Sequence, residues 1–112
     1  MKPKIQQLIR ARDEYCWHCG SMQNLVIHHR MNRGMGGSKI LDTPQNLILV
    51  CRLYNEQMES DSNVANEARD NGHKLGRYAS PSMPVWDNHR KHWFELDTKG
   101  NKIRCDPPLY LL

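Results

Sequence analysis

The chain is poor in the residues that build large cores. Phenylalanine occurs once, and Leu, Ile, Val and Phe together make up 22 of the 112 residues. That share borders on the composition of disordered chains. The formal net charge is only +4, however, and three Trp and four Tyr add apolar bulk, which argues against a disordered polyampholyte. A single domain this small, with so little aliphatic mass, commonly relies on a metal or a disulfide as a staple. Also missing is any apolar run approaching the ~18 residues of a membrane helix. Met1-Lys2-Pro3-Lys4 is not followed by an apolar signal segment, so secretion and membrane insertion are not expected and the cytoplasm is the expected compartment.

Acidic residues are scarce in the first half only. Residues 1–52 carry eight Lys/Arg against Asp13, Glu14 and Asp42, a net +5, whereas residues 53–112 carry eight against nine, a net −1. A basic half favours contact with polyanions, nucleic acid first. From residue 30 to 41 there is no acid, and this stretch holds Arg30, Arg33 and Lys39 together with Gly34, Gly36 and Gly37. Arginine suits phosphate through its bidentate fork, and glycines let backbone N–H groups approach a sugar–phosphate chain closely.

Cys16 and Cys19 form C-x-x-C, followed by Gly20. Two thiolates at this spacing can bind one tetrahedral ion from a tight turn, and the glycine supplies the positive φ such a turn needs. With no signal segment, a disulfide framework is disfavoured. Cys51 is a plausible third ligand. The fourth is missing: a second complete pair would place cysteine at position 54, where Tyr54 stands. Three thiolates and a water would leave an ion exposed. Cys105 reads as a lone thiol and His18 as a turn residue.

The chain opens with a helix over residues 3–14, with Pro3 in its first turn and Ile5, Leu8 and Ile9 on one face. Leu25-Val26-Ile27 within residues 22–29 and Leu47-Ile48-Leu49-Val50 read as strands, joined by a long loop over 30–45. A helix follows from Arg52 to about Glu59. Ser60, Asp61 and Ser62 all suit an N-cap, so another helix should start there and stop at Gly72. Ser80-Pro81-Ser82-Met83-Pro84 punctuates the chain. Residues 85–87, 93–96 and 102–104 then read as a small β meander. His89 and His92 fall in its first connection. The fold class is therefore α+β, with residues 1–78 as the main unit and 79–112 as a C-terminal β-hairpin extension packed on the same domain.

The order Cys16-x-x-Cys19, His28-His29 ending one strand, Asn46 opening the next, Cys51, and Asn55 on a helix resembles the HNH endonuclease family. The match covers about residues 16–59. Ile27-His28-His29-Arg30 with the glycine-rich 34–38 stretch is similar to the family's first strand and loop. Pro44-Gln45-Asn46-Leu47-Ile48-Leu49-Val50-Cys51 is similar to its second strand and helix start. The texture through Pro84-Val85-Trp86-Asp87 resembles small HNH proteins of actinobacteriophages. The resemblance implies a ββα-metal finger with an N-terminal helix and an extra helix. It implies hydrolysis of DNA phosphodiester bonds to a 5′-phosphate and a 3′-hydroxyl. His29 would be the general base and Asn46 would orient the His29 loop and imidazole. His28, Asn55 and Glu59 would hold one divalent metal. The family's usual histidine is replaced by Asn55, and an oxygen-rich set favours Mg²⁺ or Mn²⁺ over Zn²⁺. Glu59 lies one turn beyond Asn55 on the same helical face. His73 is a more remote candidate for the missing histidine. The resemblance further implies structural zinc at the cysteines, DNA as partner, a phage packaging partner such as a terminase, and the host cytoplasm for a phage-encoded chain. A non-catalytic nucleic-acid-binding or assembly module on the same scaffold is the alternative, with the Trp86/Trp93 hairpin as a contact face.

The basic loop yields a direct test. Arg33→Ala and Lys39→Ala are expected to weaken DNA binding across unrelated sequences. Each should lower the slope of log affinity against log salt by about one, as measured by titration at several salt concentrations.

Overall fold

The computed structural model describes residues 1–31, 41–76 and 79–109. Helix α1 (Pro3–Asp13) carries proline in its first turn and ends at Glu14, whose φ of 65° breaks the helix. Strand β1 (Leu25–His29) pairs antiparallel with β2 (Leu47–Cys51), with Leu25 opposite Cys51 and His29 opposite Leu47. Helix α2 (Arg52–Ser60) follows β2 without a linker, and Cys51 is its N-cap. Helix α3 (Ser62–Asp70) is capped by the Asp61 carboxylate, which accepts from the N–H groups of Asn63 and Val64. It stops two residues before the expected Gly72, which adopts φ +73° and packs against the Pro84 carbonyl so closely that a Cβ would clash. Strands β3 (Val85–Asp87), β4 (His92–Leu96) and β5 (Lys102–Cys105) form a separate antiparallel sheet. The result is an α+β fold with three α-helices and two small antiparallel sheets among the described residues.

Strand β2 is sealed on its free edge by side chains and backbone from the N-terminal segment. Asp13 accepts the Leu49 N–H (3.0 Å), Trp17 N–H donates to the Leu49 carbonyl (3.1 Å), and Arg12 donates to the carbonyls of Leu47 and Pro44. Arg12 also grips Asp13 through two nitrogens. An open strand edge is thus occupied locally, which removes a template for association. The price in charge exposure is that Arg12, with its side chain 2% exposed, is withdrawn from any polyanion surface.

One core serves both parts of the chain. Cys16, Trp17, Ile48, Val50, Tyr54, Met58 and Ala68 pack with Val85, Phe94 and Leu96 of the C-terminal sheet, and Trp17 meets Phe94 edge-on at 5.8 Å. The alternation of β3 and β4 explains this: Val85, Phe94 and Leu96 face inward while Trp86 and Trp93 pair on the other face. The interior is also unusually polar, with His28, Arg30, Asn46, His73, Asp13 and Asp87 all buried. Each must then find partners.

His73 shows how. Its Nε2–H donates to the Trp86 carbonyl (2.6 Å), and its Nδ1 accepts from the Tyr54 hydroxyl (2.7 Å). Because a carbonyl only accepts, this tautomer is fixed. Burial lowers the His73 pKa to about 3. The unfolded chain takes up this proton near pH 6.5 while the folded one does not until about pH 3. Stability from this group is therefore complete above pH 6.5 and lost as the pH falls from there. Urea melts of the metal-free protein are expected to lose stability progressively as the pH falls below about 6. His73→Gln should have a lower stability at pH 7 and a shallower acid slope than wild type.

Candidate functional site: a ββα unit with two polar centres

The β1–β2–α2 unit brings the sequence-predicted residues into two groups. The first is the cysteine group. The antiparallel register returns Cys51 to the opening of β1, beside the C-x-x-C turn. The sulfurs of Cys16, Cys19 and Cys51 lie within 4.8 Å of one another, with Cys16 buried and Cys19 exposed. The turn is built as the spacing suggested. Gly20 has φ +76°, and the N–H groups of His18 and Cys19 point at the Cys16 sulfur (3.3 and 3.5 Å). The Tyr54 N–H points at the Cys51 sulfur (3.4 Å). Burial pushes the Cys16 thiol up, to about 11. At Cys19 burial acts the same way, but hydrogen bonds from the Ser21 N–H and from the Cys16 and Cys51 thiols outweigh it and hold the thiol below its ordinary value. The donor set is one of soft sulfur ligands converging at metal-binding distance, and it could hold a metal ion. Tyr54 does not complete it: its phenol is turned inward to His73. Cys105 lies on β5 opposite Trp93, and the His18 ring stacks flat on Tyr54 at 4.0 Å. Neither belongs to the sulfur group.

The second centre surrounds the end of β1. His28 and His29 both stay in the ladder, opposite Ile48 and Leu47, so the strand alternation is kept to its last residue. The two imidazoles therefore project to opposite faces of the hairpin. His28 is buried, and its Nε2–H donates to the His73 carbonyl (2.8 Å). That tautomer puts the lone pair on Nδ1. The Asn55 side chain is within hydrogen-bonding reach of the ring, and Glu59 is near enough to act on it electrostatically. Burial lowers the His28 pKa to about 4, with Lys74 adding to the effect and Asn55 and Glu59 opposing it. The ring is neutral at pH 7 and competent as a ligand. Glu59 is exposed and meets Lys74 at 3.4 Å.

His29 has a partner that sequence reasoning missed. Its Nε2 lies 2.6 Å from the Asp42 carboxylate. A carboxylate accepts, so the proton sits on Nε2 and the lone pair on Nδ1. Asn46, fully buried, was expected to orient both the loop and the imidazole. It holds the loop: its amide oxygen accepts from Met31 N–H (2.8 Å) and its nitrogen donates to the carbonyls of Leu41 (2.9 Å) and Met31 (3.3 Å). The imidazole is gripped by Asp42 instead. The only sequence signal for Asp42 was its position as the first acid after the basic stretch.

Arg30 corrects an expectation. Read as a phosphate contact, it is 1% exposed, and its guanidinium donates to the carbonyls of Gly72 (2.8 Å), Gln45 (2.9 Å), Pro81 (2.9 Å), Met83 (2.7 Å) and Pro84 (3.5 Å). A side chain so enclosed cannot reach DNA. Arg33, Lys39 and the glycines at 34, 36 and 37 lie outside the described residues. Lys2, Lys4 and Arg10 on and before α1 are exposed.

Comparison with known proteins gave no match to a family model, a curated protein or a solved structure.

Arg30→Ala is expected to lower stability by about 3 kcal/mol or more in denaturant melts, since several buried carbonyls lose their donor.

Proposed function

We propose that the chain is a metal-dependent HNH endonuclease that hydrolyses DNA phosphodiester bonds. The observation that carries this reading is the pair of differently furnished histidines at the end of β1, inside a β-hairpin that runs straight into a helix. A ligand histidine characteristically donates its second ring N–H to a backbone carbonyl, as His28 does to His73. Asn55 and Glu59 offer oxygen donors one turn apart on α2. A divalent ion held by this set would polarise the phosphate and stabilise the leaving oxyanion. Mg²⁺ or Mn²⁺ suits such a set better than Zn²⁺.

His29 has the base's part in this reading. Asp42 keeps its proton on Nε2, so Nδ1 is the atom that takes a proton from the attacking water. A phosphodiester laid across the end of β1 meets the metal set on one side and His29 on the other. Asn46 keeps the two ends of the intervening loop at fixed separation. The exposed Lys2, Lys4 and Arg10 extend a basic surface for the DNA backbone. A packaging partner such as a terminase belongs to the same reading, as does structural zinc at the three cysteines.

The competing reading is a nucleic-acid-binding module that has kept the scaffold and lost the chemistry. The Lys74–Glu59 ion pair favours it, because Lys74 competes with a metal for that carboxylate. Plasmid nicking with Mg²⁺ or Mn²⁺ separates the two. His29→Ala should lower cleavage by ~10²–10⁴ with DNA binding intact. Asp42→Ala should lower it by about 10–100-fold, the usual effect of losing the group that orients a reactive imidazole. Salt-sensitive DNA binding by the wild type without metal-dependent nicking would establish the binder instead.

A further inference from the structure

We propose that Glu56 is the fourth ligand that closes the three-cysteine group around a zinc ion. The proposal rests on the three thiols holding zinc and is independent of the nuclease reading. Zn–S bonds of about 2.3 Å put tetrahedral sulfurs roughly 3.8 Å apart. The group, with its sulfurs inside 4.8 Å, needs only a small contraction to reach that. Cys16 forms the buried floor, so the remaining coordination direction opens past Cys19 and Cys51. There lies a cleft of about 390 Å³ whose walls include Ser21, Gln23, Arg52 and Glu56.

Among the described residues that line the cleft, Glu56 is the sole carboxylate. The other oxygen donors are weaker choices. Ser21 Oγ is engaged in its own turn, accepting from Gln23 N–H and donating to Gln23 C=O. Gln23 and Asn24 offer neutral amides, poor competitors with a carboxylate for zinc. Tyr54 is turned to His73, the His18 ring stacks on Tyr54, and Cys105 stands on β5 opposite Trp93, outside the sulfur group.

Helix geometry makes the reach feasible. Cys51 caps the N-terminus of α2, and five residues of helix rise about 7.5 Å. Helical side chains lean back toward the N-terminus, so the glutamate at 56 leans over Arg52, the first residue of α2, in the cleft that Cys51 also lines. An ion held by both would stand between them, about 2.0–2.2 Å from the carboxylate oxygen and about 2.3 Å from each sulfur. Glu56 is exposed, so its carboxylate can swing from its present position outside the sulfur group without disturbing the core. Arg52 stands one turn earlier on the same helical face and lines the same cleft. Its charge offsets part of the negative charge that three thiolates and a carboxylate leave around Zn²⁺.

The test titrates the reduced, metal-free full chain with Co²⁺ and Zn²⁺, the latter in competition with a chromophoric chelator. Wild type should bind one ion with thiolate-to-cobalt charge-transfer bands and tetrahedral ligand-field absorption. Glu56→Ala and Glu56→Gln should each bind zinc at least about tenfold more weakly and show shifted ligand-field bands. Added imidazole should alter the cobalt spectrum of Glu56→Ala, which then has an exchangeable position, and leave wild type unchanged. Equal affinities and superimposable spectra would overturn the proposal in favour of water as fourth ligand. Absence of thiolate–cobalt bands in wild type would overturn it from beneath, by removing the three-cysteine site itself. Circular dichroism verifies that the variants, altered at an exposed position, remain folded.

Discussion

The Arg30 guanidinium is the constraint on which the rest of the structure depends. It lies buried at the end of β1, where it draws together carbonyls from the turn before β2, from the end of α3 and from the segment leading into β3. These segments are irregular and carry glycines and prolines, so they have few partners for their carbonyls in regular ladders. A planar group with five donors in fixed directions answers several of them at once. The backbone of Arg30 adds to the effect, with its N–H on the Asn46 carbonyl and its C=O receiving Leu75 N–H. A chain short of aliphatic bulk thus acquires a rigid interior through polar satisfaction. The cost of leaving any of those groups unpaired in a low-dielectric interior enforces a single arrangement.

His73 is the second such node, and it explains the tyrosine at position 54. A cysteine there would have completed the sulfur group. Tyr54 instead fills the core and reaches His73, whose carbonyl in turn receives the His28 ring. The buried chain Tyr54–His73–His28 links α2, the segment after α3 and β1. The His73 ring also holds the first sheet's helices to β3 through Trp86. Tyr54 thus adds a tie between the two sheets through His73. It also leaves the coordination direction of the cysteine group facing the cleft where Glu56 stands.

Helix α2 serves both polar centres from different parts of its surface. Its N-terminus is capped by the Cys51 sulfur, which accepts from the Tyr54 N–H. Its next turns present Asn55 and Glu59 toward His28. The inward face carries Tyr54 and Met58 into the core, which fixes the rotation of the helix and therefore the direction of both polar faces. Packing on one side of a nine-residue helix sets the geometry of chemistry on the other two.

The sequence by itself determined the order of elements, the β1–β2 hairpin, the helix that follows, and the meeting of Cys16, Cys19 and Cys51. Those features arise from short-range rules. Apolar periodicity marks the elements, glycine and proline mark the breaks, and antiparallel pairing returns Cys51 to the C-x-x-C turn whatever else the chain does. Only the tertiary structure decided that Arg30 is buried while Lys2, Lys4 and Arg10 stay outside, that Asp42 rather than Asn46 holds the His29 ring, that adjacent histidines keep to separate faces, and that Tyr54 turns to His73. Each of these is a choice of partner, several of them across dozens of residues. A charged or polar side chain has no periodicity that reveals whether its partner is water or a buried carbonyl. That is settled when the segments meet and every buried donor and acceptor must be matched.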